Sequence, residues 1–326
     1  MLDYLLRRIM LMIPTLLGIT LITFAIIHLA PGDPAELSTG GMMNAESSKK
    51  IVMQMRELYG LDKPILVQYI DWLKRLARFD FGDSFAPDGR PVAEKILSRL
   101  PNTIILNIAS ILLIYIIAVP IGIFSAVKHN STTERIIGVF LFMFYSAPGF
   151  WVALMLLKYF GVHWGVLPLG GMESDIYDLM PTWTRFWDRV HHLILPTVCL
   201  SLGALAGLSR YMRGSMLENI RQDYVRTARA KGLSEFKVIF KHVLRNSLIT
   251  IVTLFAGILP GLIGGSVIME SIFSWPGVGR LFFTALQMRD YPVIMASTVI
   301  SATLVLVALL ITDLLYSLVD PRIRLK

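Results

Sequence analysis

An all-α membrane protein with six transmembrane helices is the fold class this sequence predicts, and three observations predict it. Of 326 residues, 55% are hydrophobic and only 17% are charged. The mean hydropathy is +0.62. Six runs reach or approach the roughly 20 mostly apolar residues that a helix needs to cross a bilayer.

The first run, Ile9–Leu29, holds no formally charged residue and follows Arg7 and Arg8. It resembles the start of a secretory signal, but it is too long and runs into Pro31-Gly32-Asp33-Pro34 without a small-residue cleavage site. It reads as a retained anchor, with residues 1–30 as an N-terminal transmembrane helix. Residues 31–102 follow, too long for a structureless connection. Helix-like patches at Ile51–Tyr59 and Val67–Phe79 and turns at Gly60, Pro64, Gly82, Pro87, Gly89 and Pro91 predict a small extracytoplasmic cap. It either packs on the spans or meets an external partner.

Residues 103–326 form the five-helix remainder. Thr103–Val127 is uncharged, and Ile136–Phe160 holds only Lys158. Leu193–Ser209 is shorter and weaker, Ser247–Met269 is uncharged, and Pro292–Leu318 holds only Asp313. Pro14, Pro120, Pro148, Pro196 and Pro260 are candidate bends. Trp164, Trp183 and Trp187 mark Gly161–His192 as an interfacial outer loop or a gate above the pathway. The segment Glu270–Tyr291 reads as short and turn-rich.

Charge orients the spans. Arg210–Asn246 carries nine Lys or Arg against three acids, and the short loop Lys128–Arg135 is also basic. Gly161–His192 carries two Arg against four acids. Short cytoplasmic loops are enriched in Lys and Arg, so both termini are expected inside the cell. The net charge of +8 is therefore a topological signal, and no nucleic-acid partner is implied.

The basic segment is patterned. Leu217, Ile220, Tyr224 and Ala228 fall at helical spacing, opposite Glu218, Arg221, Gln222, Arg226 and Arg229. Gly232 suits a left-handed helix end. Ser234 is placed to cap a second helix, with Phe236, Ile239, Phe240 and Val243 facing away from Lys237, Lys241 and Arg245. This hairpin, residues 215–246, reads as a docking surface for a soluble partner. The alternative is a basic amphipathic surface lying on membrane lipid.

Several chemistries find no residues here. There is no Gly-x-x-x-x-Gly-Lys-Ser/Thr phosphate loop, no His-Glu-x-x-His and no Cys-x-x-Cys. Neighbouring side chains on a helix diverge by about 100°, so His191-His192 is a poor metal pair. The single cysteine, Cys199, excludes an internal disulfide. Lys158 and Asp313 lie near span ends, where snorkelling or pairing with a basic neighbour accounts for them. No catalytic residue, metal site or cofactor is assigned to this chain. It offers a passage without an energy source, and only six spans where carriers are commonly built from duplicated halves.

The hairpin also carries a resemblance. Arg226-Thr227-Ala228, then Gly232, is similar to the Glu-Ala-Ala-x-x-x-Gly loop of bacterial ABC-importer permeases, with Arg226 in place of the glutamate. Leu244-Arg245 stands where Leu-Pro is usual. Arg-Thr-Ala-Arg-Ala-Lys-Gly resembles the dipeptide, oligopeptide and nickel branch. So do Pro31-Gly32-Asp33-Pro34, Leu61-Asp62-Lys63-Pro64, Gly82-Asp83-Ser84, Leu100-Pro101-Asn102-Thr103, Glu270 to Arg280, Arg289-Asp290-Tyr291-Pro292 and Asp320-Pro321-Arg322.

The resemblance implies a type I importer permease in the bacterial inner membrane, forming half of a pathway for dipeptides or oligopeptides. It implies a second related permease, an extracytoplasmic binding protein, and two ATPase subunits that bind ATP and Mg. Asp223, Tyr224, Arg226, Thr227, Ala228, Arg229, Ala230, Lys231 and Gly232 would couple to the ATPases. Tyr224, Ala228, Ala230 and Gly232 would make the close contact and turn, and the basic residues the polar contacts. Ser146, Thr253, Gly257, Gly261, Ser297 and Ser301 are candidates for the pathway, though helix packing explains them equally well. Nickel and glutathione are alternative cargoes. A carrier not coupled to ATP and a lipid-bound scaffold are the competing classes.

Overall fold

The computed structural model describes residues 2–29, 53, 62–248, 251, 254 and 266–319. Helices dominate. They are α1 (Leu2–Leu29), α2 (Ile65–Leu76), α3 (Val92–Val127), α4 (Thr132–Ser146), α5 (Gly149–Leu156), α6 (Thr182–Ile220), α7 (Asp223–Ala230), α8 (Glu235–Lys237), α9 (Val267–Ile272), α10 (Val278–Met288) and α11 (Tyr291–Val319). π-helical stretches extend α5 over Leu157–His163 and α8 over Val238–Val243.

Proline sets several helix starts. Pro64, Pro91, Pro148 and Pro181 occupy the position before α2, α3, α5 and α6, each with φ between −52° and −60° and extended ψ. The ring fixes φ, and a helix start needs no N–H there. α4 is capped differently. The Ser131 hydroxyl accepts from the Glu134 amide, and the Glu134 carboxylate accepts from the Asn130 amide.

Among the described residues, four helices are long and apolar enough to cross a membrane: Tyr4–Leu29, Val92–Val127, Thr182–Ile220 and Tyr291–Leu314. A fifth crossing exists if α4 and the Gly149–His163 arm make one broken span. They meet at 101° around Ala147-Pro148, so the continuous helix expected over Ile136–Phe160 is corrected. An alanine in extended conformation before Pro148 is the local cause, because proline disfavours the helical region for the residue before it. Most of the expected Ser247–Met269 span, Pro260 included, lies outside the described residues, as does Ile51–Tyr59 apart from Met53.

Two expectations were too short. α3 begins at Val92, eleven residues before the expected Thr103. α6 begins at Thr182 and has 39 residues. At 1.5 Å per residue that is about 58 Å, well beyond a hydrocarbon core of about 30 Å. Residues 182–192 are therefore the outer end of this helix rather than loop. Trp183, Phe186 and Trp187 form an exposed aromatic cluster on it.

α3 and α6 make the central pair. Their crossing needs Gly122, where an added Cβ would lie 2.5 Å from the Met212 Cβ and 2.9 Å from the Ser209 carbonyl oxygen. On one side the core continues into the hairpin through Met212, Met216, Val225, Val238 and Val243, all fully buried. A second cluster joins α1, α2, α3, α10 and α11 around Trp72, Val92, Ile96 and Val293. Asp313 of α11 is paired, as expected for a charge near a span end: Arg8 Nη2 lies 2.9 Å away and the Tyr4 hydroxyl donates at 2.8 Å.

Candidate functional site

The hairpin keeps its predicted turn and changes its faces. Gly232 has φ +73°, the left-handed conformation that glycine adopts without a side-chain clash. Its amide donates to the Arg229 carbonyl and the Leu233 amide to the Ala228 carbonyl, closing α7. The first helix is not continuous, however. α6 stops at Ile220, Arg221 and Gln222 break the chain, and α7 restarts at Asp223.

The restart rotates the buried set to Val225 and Ala228. Tyr224, expected on the apolar face and at the docking contact, is 37% exposed and donates its hydroxyl to Asn219 Oδ1 at 2.9 Å. Asp223, Arg226, Thr227, Arg229 and Lys231 project outward with Gly232, while Ala230 is exposed at the helix end. The coupling candidates other than Ala228 thus form one short exposed ridge; Ala228, expected at the close contact, is buried and with Val225 anchors the ridge from beneath.

The second helix departs further. Ser234 makes no side-chain cap. Glu235 instead accepts from Arg229 Nη2 at 2.6 Å and from Nε at 3.2 Å, tying the two arms together. The π-helical stretch adds a residue per turn relative to neighbouring helix. Val238, Ile239 and Val243 point inward as a result. Phe236 and Phe240, expected on one apolar face with Ile239 and Val243, part from them and stand 70% and 46% exposed with ring centroids 4.5 Å apart. An exposed aromatic pair beside a basic ridge is a surface suited to a protein groove.

Arg229 holds the Glu235 carboxyl below the usual carboxylate range, through the hydrogen bond first and charge second. Its contribution is complete above the unfolded pKa of about 4.3 and is lost as the pH falls through the lower folded value. Both side chains are substantially exposed, so the pair is worth under about 1 kcal/mol. Hydrogen-exchange protection across 229–235 should hold from pH 7 to about 5, fall below about pH 4, and drop by about fivefold or less in Glu235→Gln. Equal protection in the variant at pH 7 would show that the pair does not brace the turn.

A brace lies nearby. Arg213 of α6 pairs with Glu134 at 3.0 Å and reaches His129 Nδ1 at 3.2 Å, joining the loop after α3 to the base of the hairpin.

The pathway candidates divide. Ser297 and Ser301 of α11 line one cavity of about 420 Å³ with Ile19, Val267, Gly279 and Phe282. The Ser297 hydroxyl is buried with no hydrogen-bond partner among the described residues. Ser146 ends α4 at the bend and is not among that cavity's walls. Thr253, Gly257 and Gly261 lie outside the described residues. His191 and His192 bond the carbonyls of Val166 and Asp188, and no group of His, Cys, Asp or Glu among the described residues is arranged to hold a metal.

Sequence reasoning missed what the outer motifs do. Asn102 and Thr103, about three turns into α3, meet Glu270, Trp275 and Pro276. The Thr103 hydroxyl donates to Glu270 Oε1 at 2.9 Å and accepts from the Val278 amide at 2.9 Å. Asn102 Nδ2 donates to the Pro276 carbonyl, and Trp275 Nε1 donates to the Asn102 carbonyl. Glu270 is fully buried and also accepts from the Arg280 amide. A second knot joins Ser84, Lys95 and Asp290. Lys95 Nζ donates to Ser84 Oγ at 2.6 Å and pairs with Asp88 at 2.5 Å, while Ser84 donates to Asp290. The motif repertoire marked these residues, but their pairing spans 167 to 206 positions and has no local signal.

Comparison with known proteins covers the chain. Residues 118–325 match the family described as "Binding-protein-dependent transport system inner membrane component". Residues 1–107 match the N-terminal family of that membrane component. The chain is 46% identical over 321 residues to "Oligopeptide transport system permease protein AppB" of Bacillus subtilis (strain 168), covering 98% of this chain and 99% of the relative. It is 38% identical over 342 positions to "Dipeptide transport system permease protein DppB" of Escherichia coli (strain K12), covering all of both. Among solved structures, a chain of the inward-facing MetNI methionine ABC transporter aligns with a TM-score of 0.55 and 17% identity, covering 69% of this chain and 96% of that one. That likeness concerns the fold.

Proposed function

Because this chain belongs to the family of binding-protein-dependent transport system inner membrane components, we propose that it is a permease subunit of an ATP-driven importer for dipeptides or oligopeptides. The observation that carries the reading is the end-to-end similarity to relatives named as oligopeptide and dipeptide permeases. The chain sits in the bacterial inner membrane with six spans, both termini cytoplasmic, and residues 31–102 forming an extracytoplasmic cap on its first and second spans.

It forms half of the pathway with a second related permease. An extracytoplasmic binding protein delivers substrate above, and two ATPase subunits, which bind ATP and Mg, dock below. The chain itself is not catalytic. The exposed ridge Asp223–Gly232 and the Phe236–Phe240 pair meet the ATPase. Val225 and Ala228 join that ridge to Met212, Met216 and Val243, so a push on the hairpin bears directly on α6 and, through Gly122, on α3. Movement follows because each nucleotide state of the ATPases favours one of two arrangements of the spans.

Reconstitution tests this. Proteoliposomes holding this chain, its partner permease, both ATPases and the binding protein should take up labelled dipeptide at least about tenfold faster with ATP than without. Excess glutathione or nickel should leave that rate unchanged. Gradient-driven uptake by this chain alone would favour the uncoupled carrier, and no flux under any condition would favour the scaffold.

A further inference from the structure

A second cavity, of about 550 Å³, opens between the end of α4 and the inner half of α6. Its walls include Tyr145, Gly207, Arg210, Tyr211, Gly214 and Glu218. We propose that it is a binding station for a zwitterionic peptide, with Arg210 receiving the carboxylate end and Glu218 the ammonium end. This rests on the permease reading and assigns to this chain a substrate contact within it.

The face is built for something other than lipid or core. At 100° per residue, positions 207, 210, 211, 214 and 218 fall within an arc of about 100° on α6. Gly207 and Gly214 are not required by packing, since an added Cβ would meet no atom within 4 Å at either. They leave open space along the helix, between two exposed tyrosines. The bend at Pro148 turns the chain away just beyond Tyr145 and keeps the mouth clear.

The charges are unspent. Arg210 lies over the Tyr145 ring, 5.9 Å from its centroid, and forms no ion pair with a described residue. Glu218 likewise has no hydrogen bond or ion pair among the described residues. One turn away, by contrast, Arg213 is paired with Glu134. Both charges stand at the cavity wall, open to a ligand of opposite charge.

The dimensions fit a short peptide. Eight residues separate Arg210 from Glu218, about 12 Å along the helix axis. A dipeptide spans about 7 Å and a tripeptide about 10 Å at 3.3–3.6 Å per residue, and the two side chains close the remainder. A guanidinium matches a carboxylate bidentately, and the tyrosine faces accept varied side chains. Cavities of roughly 300–1,000 Å³ commonly enclose small ligands. The ends of a peptide are common to all sequences, so recognition of both ends with a roomy middle gives transport without strong side-chain preference.

The test uses the complete reconstituted complex and two labelled probes, dialanine and dialanine amide. Arg210→Gln should lower dialanine uptake at least tenfold, and its preference for dialanine over the amide should collapse towards one. Arg210→Lys should recover to within threefold of the natural chain. Glu218→Gln should lower dialanine uptake by a similar factor, and Gly214→Val should block flux of both probes by filling the cavity. Each variant should co-purify with the whole complex in normal yield. The binding protein is the same throughout, so its selectivity cancels in the comparison. Unchanged uptake in both charge variants, or an equal fall for both probes in Arg210→Gln, overturns the station while the permease reading stands. Failure of the natural complex to take up dialanine with ATP overturns both.

Discussion

Replacing Gly277 with valine is expected to lower the melting temperature of the purified chain by about 10 °C and to reduce its yield in the membrane sharply. Gly277 has φ −99°, so backbone strain plays no part. Crowding does. An added Cβ would stand 2.4 Å from Glu270 Oε2 and 2.5 Å from Thr103 Oγ1. A flexible side chain would normally give way. Glu270 has no such freedom, because it is fully buried and held by Thr103 and the Arg280 amide.

Moving the carboxylate breaks those bonds and leaves a buried acceptor unmet, at about 1–3 kcal/mol for the group. Overpacking adds a similar amount. Gly138→Ala is the matched control, since a Cβ there meets nothing within 4 Å on an exposed face of α4. It should be neutral or slightly stabilising, as alanine is the better helix former. Thermal unfolding in detergent, followed by tryptophan fluorescence, checks both. A Gly277→Val chain melting within 2 °C of the natural one would mean that the Glu270 knot yields freely.

The contrast between these glycines shows what a single sequence conveys. The long apolar runs are legible because burial in lipid imposes a composition, which needs no partner to be read. The Gly232 turn is legible because its cause is local: a polar helix ends where the next residue must turn left-handed. The 101° bend is half legible, since Pro148 marks the place but not the angle. The outer end of α6 is hidden because Thr182–His192 mixes tryptophan, arginine and acid, and its helix is stabilised by contacts such as Ser174 with Asp188 rather than by one apolar stripe. Tyr224, Phe236 and Phe240 stand apart from the buried Ala228, Ile239 and Val243 with which their spacing grouped them, because a strict 3.6-residue period does not carry across the break at Arg221–Gln222 or the π-helical stretch. Gly277 and Gly138 look alike in the sequence, and only the pairing of residues far apart distinguishes them.

Replacing Gly232 with valine should leave the fold standing and break coupling. A Cβ at this position meets nothing within 4 Å, so crowding is absent. The cost is confined to the backbone, where φ +73° puts a β-branched residue in a region costing roughly 1–2 kcal/mol. Relief requires α7 to swing, and α7 is held through Val225, Ala228, the Tyr224–Asn219 hydrogen bond and the Arg229–Glu235 tie. The ridge then no longer presents its residues in one arrangement, and docking pays that ordering cost on every encounter. At 1–2 kcal/mol the ATPase subunits should be retained about 5- to 30-fold less well. Stimulation of ATP hydrolysis by loaded binding protein should fall in parallel. The melting temperature of the isolated chain should move by no more than a few degrees. Gly232→Asn is the informative second variant, because asparagine visits the left-handed region far more readily, and it should keep at least half of the natural stimulation. Valine and asparagine thus differ in backbone preference while both fill the same open space. If valine couples as well as glycine, the turn does not position a docking ridge, and a hairpin lying on anionic lipid becomes the better account of its basic face.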